Sequence, residues 1–338
     1  MVRDTNGVKG LVSELLTADV ARAAEAIRAG GMVGMPTETV YGLAADAENA
    51  AAVARVFAVK GRPADHPLIV HVSGAGQLDS WARDVPPYAR RLAEALWPGP
   101  LTLVLPRSAR AGDHVTGGQD TVGLRAPSHP VAQQLLAAVG GGLAAPSANR
   151  FGRVSPTTAA HVLAELGGLL DPERDVVLDG GHSTVGVESA ILDCTGAEPL
   201  LLRPGAVDAA EVARVGGVPL GSRASAVRAP GTLTSHYAPA ARVLIAPDGA
   251  QAARLLAPLD GLLALAEVAT PEGVVRLSAP ADAAGYARVL YAALREADAL
   301  GLARVIAVPP APAGIGLAVA DRLARAAAAG TADAARHE

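Results

Sequence analysis

Two hydrophobic rhythms alternate along this chain. Val20, Ala23, Ala24 and Ile27 recur at the spacing of one helical face, and Gly30-Gly31 closes that helix. A short apolar run over 32–41 reads as strand and turn. Helical spacing returns over 51–59, a strand over 68–72, and a helix over 86–97 that Pro98-Gly99-Pro100 ends. Strands follow at 101–105, 121–125 and 143–145, with a helix over 130–139 between the last two. Residues 157–166 are helical, and 176–179, 190–193 and 200–203 are strand-like. Short strands separated by helices predict an α/β fold.

The rhythm stops over 216–240, where Gly, Ser, Pro and Arg gather without periodicity, and this stretch reads as a linker. Beyond it, buried-strand patterns at 243–246, 262–265, 274–277 and 305–308 alternate with helices over 283–299 and 317–329. They predict a smaller α/β unit, a parallel sheet with helical crossovers. The expected division is an N-terminal tail over 1–15, a large first domain over 16–210, a linker or lid over 211–240 and a C-terminal α/β domain over 241–330.

Composition narrows the function. The 338 residues carry a formal charge of −4 and only 3% aromatics. The charge argues against tight, unguided binding of nucleic acid, and so few aromatics leave no base-stacking platform. Cys194 is the sole cysteine, so no intrachain disulfide is expected and a reducing cytoplasm fits. The first residues lack the apolar run of a signal peptide, and no uncharged apolar stretch is long enough to span a bilayer.

Of the 29 basic residues only Lys9 and Lys60 are lysine. Lys60 stands in Lys60-Gly61-Arg62-Pro63. An ammonium is a compact point charge and a guanidinium a planar fork, a pair suited to a polyphosphate. Pro63 pushes Arg62 into an extended conformation, in which positions 60 and 62 point the same way. Two cations converging on one spot repel unless an anion lies between them. An exposed loop that happens to carry both is the plain alternative.

Other segments add polar groups at the margins of apolar runs. In Pro36-Thr37-Glu38-Thr39-Val40-Tyr41-Gly42-Leu43, an extended chain would align the hydroxyls of Thr37, Thr39 and Tyr41. That row is either a ligand contact at a strand end or the polar face of an edge strand. In Ala144-Ala145-Pro146-Ser147-Ala148-Asn149, Ser147 and Asn149 share a side behind small alanines. Ser155-Pro156-Thr157-Thr158 opens a helix, as an anion site or a simple cap. His71 faces away from Leu68, Val70 and Val72, either as a core histidine or as a contact. Arg125, Ser189 and Arg203 each sit at the edge of an apolar run, and the two arginines are candidates for forked binding of carboxylate or phosphate. His236-Tyr237 in the linker marks a lid or an interdomain turn. The Walker phosphate loop, the dinucleotide fingerprint, the paired-ligand zinc patterns and the serine nucleophile elbow are all missing. The chain offers anion-binding and hydroxyl groups without an evident covalent nucleophile.

Taken in order, PTETVYGL, KGRP, HPLIVH, WPGPLTLVL, TVGLRAPSHP, PSAN, SPT, DGG, GVES, LLRPG and HYAP resemble the threonylcarbamoyl-AMP synthase family. The likeness covers residues 17–240 and is to the long form, in which a YrdC-like catalytic domain precedes a linker and a C-terminal domain. It implies a YrdC-like twisted mixed sheet with helices, followed by a Rossmann-like α/β domain. It also implies an enzyme joining L-threonine, bicarbonate or CO2, and ATP into threonylcarbamoyl-AMP and pyrophosphate. The adenylate then feeds a separate tRNA threonylcarbamoyl transferase. By resemblance, ATP falls to Lys60, Arg62, His66, Thr121, Ser147, Asn149, Ser155, Arg203 and Tyr237. Threonine falls to Thr39, His71, Arg125, Ala145 and Ser189. Of these, Lys60, Arg62, Ser147 and Asn149 are the expected catalytic set. No protein metal site is expected, and magnesium would be held by phosphates and water. His66 stands where many relatives carry Asn. Two other readings use a similar domain. An RNA-binding or ribosome-associated module is opposed by the acidic charge and sparse aromatics, and a carbamoyl transferase of hydrogenase maturation would carry zinc-finger cysteines.

Overall fold

The computed structural model describes residues 14–231 and 236–334. Most of the expected tail, and residues 232–235 of the expected lid, lie outside the described residues. The first sheet takes ten strands: β1 (Leu16–Thr17), β2 (Val33–Met35), β3 (Gly42–Asp46), β4 (Ile69–His71), β5 (Leu101–Pro106), β6 (Thr121–Arg125), β7 (Leu143–Ala144), β8 (Val176–Leu178), β9 (Ala190–Asp193) and β10 (Leu200–Arg203). Their order is β1-β8-β2-β3-β7-β4-β6-β5-β9-β10. The sheet is mixed: β4 runs parallel to β6, whereas β7 runs antiparallel to both β3 and β4. The expected mixed α/β architecture is therefore present.

Local chemistry sets the helix ends that matter. Asn49 caps the helix Ala50–Lys60 by accepting from Ala52 N at 3.0 Å. Ala52, Val53, Val56 and Phe57 bury one side of it. Gly61 ends it in the left-handed region (φ 61°), and the amides of Gly61 and Arg62 close back onto Ala58 and Phe57. Lys60 is thus the last helical residue, and Arg62 lies beyond a reversal. Both side chains reach one place, but the extended Lys60-Gly61-Arg62 geometry expected from the proline is not the reason.

The second sheet comprises β11 (Arg242–Ile245), β12 (Gly261–Leu263), β13 (Val275–Ser278) and β14 (Arg304–Ala307), ordered β11-β14-β12-β13 and parallel throughout. The helices Ala283–Ala299 and Ile315–Ala334 contact each other beside it. The two units share a hydrophobic cluster: Val40, Val154 and Val187 of the first meet Tyr286, Leu290 and Tyr291 of the second, with Tyr237 between. Residues 209–216 form a helix whose end reaches the stretch read as linker. The strand and turn read over 32–41 are present as β2 and the bends at 38–40, whereas β3, whose small Gly42-Leu43-Ala44-Ala45 run carries no β-branched residue, was not anticipated. Among the described residues no helix is long and apolar enough to cross a membrane.

Candidate active site

Strand alternation builds the floor of a cavity. Ile69 and His71 of β4 face it, whereas Val70 and Val72 enter the core. His71 pairs in register with Arg125, the last residue of the parallel strand β6. Arg125 Nη2 lies 2.8 Å from Glu38 Oε1, with both side chains buried. The register of β10 against β9 slips between Leu201 and Arg203, and this irregularity re-aims Arg203. Its Nε donates to Ser189 O at 3.1 Å and its Nη2 to Ser189 Oγ at 3.3 Å.

A turn after β7 forms one wall. Ala145 N donates to Ile69 O, Leu43 N to Pro146 O, and Ala148 N to Tyr41 O, fixing residues 145–149 against β3 and β4. Lys60 Nζ donates to Ser147 O at 2.6 Å and to Asn149 O at 2.5 Å. The linker supplies the roof. Arg203 Nη1 donates to Pro230 O at 3.0 Å, and Ala238 N donates to Gly152 O at 2.9 Å. Gly231 adopts φ +74°, and a Cβ there would stand 2.4 Å from the Tyr237 hydroxyl and 2.9 Å from Arg203 Nη1. His66, Phe151, His236 and Tyr237 follow one another edge-on, at centroid separations of 5.4, 6.0 and 4.2 Å.

The cavity opens to solvent, and its empty space counted together with that opening is about 670 Å³. Lys60, Arg62, Ser147, Asn149, Arg203 and Tyr237 line it, as do His71, Arg125, Ala145 and Ser189. Four expected residues do not. His66 borders an adjoining hollow that shares Arg62, Phe151, Gly231 and His236 with the main one. Thr121 borders a small crevice with Arg228 and Pro230. Thr39 is buried behind Thr37, their hydroxyls 2.9 Å apart. Ser155 is buried and donates to Glu188 Oε1 at 2.7 Å. The aligned row of three hydroxyls does not form either: Tyr41 turns away to donate to Gly181 O at 2.8 Å.

Buried polar atoms normally find partners. Among the described residues nine buried side-chain atoms lack a hydrogen-bond partner. Arg62 Nε, His71 Nδ1, Arg125 Nε and Nη2, Asn149 Oδ1, His236 Nδ1 and the Tyr237 hydroxyl belong to cavity-lining residues, Glu38 Oε1 faces Arg125 as its ion-pair partner, and Trp81 Nε1 lies elsewhere. The electrostatics match. Burial, then the Arg62 charge, holds the Lys60 ammonium well below the usual lysine range. Burial brings Arg62 down to about 10. Cations gathered out of water at this cost are stabilised by an anionic ligand.

Burial, aided by the Arg125 charge, lowers His71 to about 3, and burial lowers His236 to about 3. Both are therefore neutral near pH 7. In the unfolded chain they titrate near the ordinary histidine value of about 6.5. As pH falls below that value, the unfolded state takes up protons that the folded state refuses, so folded stability declines until the folded pKa is reached. The thermal midpoint is expected to fall between pH 7 and about 4, and His71→Gln is expected to flatten that dependence. Melting curves across this range check it, and an unchanged slope in the variant would assign the loss to other groups.

Several lining residues were absent from the expected site. Glu188 and Phe151 both line the cavity, and Glu38 backs Arg125. Phe151 is one of only two phenylalanines, which was a readable signal. Glu188 carries none, because its partners Tyr291 and Arg322 lie more than a hundred residues away.

Residues 25–205 match the Sua5/YciO/YrdC family, described as telomere recombination. Residues 206–328 match the threonylcarbamoyl-AMP synthase C-terminal domain. A Pyrococcus abyssi protein named threonylcarbamoyl-AMP synthase is 40% identical over 318 residues, which is 90% of this chain and 92% of that relative. The chain belongs to the threonylcarbamoyl-AMP synthase family. A Bacillus subtilis protein of the same name is 41% identical over 70% of this chain and 69% of its own length. A crystal structure of P. abyssi Sua5 complexed with L-threonine superposes with a TM-score of 0.83 and 37% identity, covering 92% of this chain and 94% of the other. This chain is therefore an enzyme of threonylcarbamoyl-AMP synthesis, a step of tRNA modification, with ATP as a substrate.

Proposed function

We propose that the single cavity binds threonine at its Arg125–His71 end and the ATP phosphates at its Lys60–Arg62–Arg203 end. The observation that carries this reading is the convergence of these buried cations, with the unpartnered polar atoms beside them, on one cavity. The guanidinium of Arg125 forks onto the amino acid carboxylate, and Ser189 and the Ala145 backbone flank it. Thr39 acts from behind Thr37. Lys60, Arg62, Ser147, Asn149 and Arg203 hold the nucleotide, with Tyr237 above it. His66, Thr121 and Ser155 act from the margins of this space.

The chemistry needs no side-chain nucleophile. Threonine's amine adds to CO2 and loses a proton, giving a carbamate. A carbamate oxygen then attacks the α-phosphorus in line, and pyrophosphate leaves. Positioning and charge neutralisation carry such a step. Among the described residues no group of three or more His, Cys, Asp or Glu is placed to hold a metal ion. The Glu188 oxygens are already engaged by Ser155, Tyr291 and Arg322. Magnesium arriving with ATP would draw its ligands from phosphate oxygens and water, and would supply further charge neutralisation. Pro230, Gly231, His236 and Tyr237 of the linker roof the site and shield the labile carbamate from water. The product passes to a tRNA threonylcarbamoyl transferase, in the cytoplasm.

The test is pyrophosphate release with threonine, bicarbonate and ATP each omitted in turn. Release is expected only with all three. Release that persists without threonine would remove the amino acid from the reaction.

A further inference from the structure

Arg322, in the helix Ile315–Ala334 of the C-terminal domain, is a fully buried cation inside the first domain's wall. Its Nε donates to Glu188 Oε2 at 2.9 Å, and its Nη2 donates to Pro204 O at 3.0 Å and to Glu188 O at 3.3 Å. Its Nη1 donates to Asp321 Oδ2 at 2.7 Å. The guanidinium carbon lies 5.6 Å from the centroid of the Tyr237 ring. The neighbours of these contacts matter. Glu188 precedes Ser189, whose carbonyl and hydroxyl both accept from Arg203, and Pro204 follows Arg203. One guanidinium therefore fixes the backbone on both sides of the Arg203–Ser189 pair and also underlies the linker's tyrosine. The same helix takes His236 N on the Arg325 carbonyl at 3.4 Å.

Glu188 is poorly suited to act as a base. Burial raises its pKa, but Arg322 and Arg203 and the hydrogen bonds outweigh this and hold the carboxyl at about 2. It serves as a fixed anion between the two domains. Tyr291, from the helix Ala283–Ala299, also donates to its Oε2 at 2.7 Å.

We propose that Arg322 is a positioning residue for the adenylation step, the contact through which the C-terminal domain sets the geometry of the ATP end of the site. This inference rests on the assignment of that end to Arg203 and Tyr237. Among the described residues Arg322 bonds neither His71 nor Arg125 at the threonine end, and its one link there is indirect, through the Glu188 carbonyl that precedes Ser189.

The plain alternative is that Arg322 merely cements two domains. Two variants separate the readings. Arg322→Met alone would strand the Glu188 charge, so the first variant is the double Glu188→Gln/Arg322→Met, which removes both members of the ion pair together. The second is Arg322→Lys, which keeps the charge but cannot make the planar, multi-point contact. Misplacement of reacting groups by mutations distant from the chemistry costs up to about 100-fold. In both variants kcat/KM for ATP is expected to fall by about 10- to 100-fold, while threonine affinity by titration calorimetry stays within about threefold. Wild-type ATP kinetics in a folded variant would make Arg322 cement only and overturn the proposal. Equal loss at both substrates would overturn it too, as general damage. Should the double variant fail to fold, Arg322→Lys decides alone. Wild-type protein that releases pyrophosphate without threonine would be a failure of the proposed reaction, separate from this one.

Discussion

Lys60→Ala is expected to lower threonine-dependent pyrophosphate release by about 10³-fold while leaving the fold intact. The loss follows from where the ammonium sits. It is buried, anchored on Ser147 O and Asn149 O, and its charge is held at a cost that an anionic ligand reverses. The nearby guanidinium of Arg62 is held by Pro67 O at 3.0 Å and lies 5.7 Å from the Phe151 centroid, so it cannot take the lysine's place. The fold survives for separate reasons. Alanine is a good helix former, the Gly61 cap does not use the lysine side chain, and removal of a charge whose ionised form is disfavoured by burial costs no desolvation. The two freed carbonyls open toward a cavity where water can serve them. Circular dichroism and melting curves test the fold, and initial rates test the chemistry. A folded variant with near-wild-type turnover would remove Lys60 from the phosphate end.

A chain ending at residue 210 is expected to show no detectable threonine-dependent release. Truncation removes Pro230, which accepts from Arg203, and Tyr237, which covers the cavity. It also takes Arg322 and Tyr291 from Glu188. Val40, Val154 and Val187 lose the apolar surface that covers them, so the remaining domain exposes a new hydrophobic patch. The carbamate, if formed, meets bulk water. The comparison is between the full-length chain and a truncated chain shown to melt cooperatively, assayed side by side. Full activity in the shorter chain would show that the segment beyond 210 is dispensable for the reaction.

Much of the fold was written locally. The helix over 283–299 and the four strands of the second sheet follow apolar periodicity that tertiary contacts do not override. Spacing made legible that Lys60 and Arg62 reach one spot and that Ser147 and Asn149 share a side, whereas their union in one set came from the family resemblance, and the approach of Lys60 to Arg62 is set by a left-handed glycine after a helix. What was hidden depends on distant partners. An extended chain would align Thr37, Thr39 and Tyr41 on one face, but the backbone bends there, and Thr39 lies buried against the Thr37 hydroxyl. Glu188 reads as one acidic residue in an apolar run until Arg322 arrives from the other domain. Strand β3 was missed because alanine and glycine carry little strand preference, and its place comes from β2 and β7 on either side.

Gly231 has a practical meaning for redesign. Any larger residue at that point collides with a phenol oxygen and a guanidinium, and its left-handed backbone penalises one as well. Attempts to enlarge the pocket for bulkier nucleotides should therefore leave this glycine untouched and shrink the Phe151 ring, which also lines the cavity.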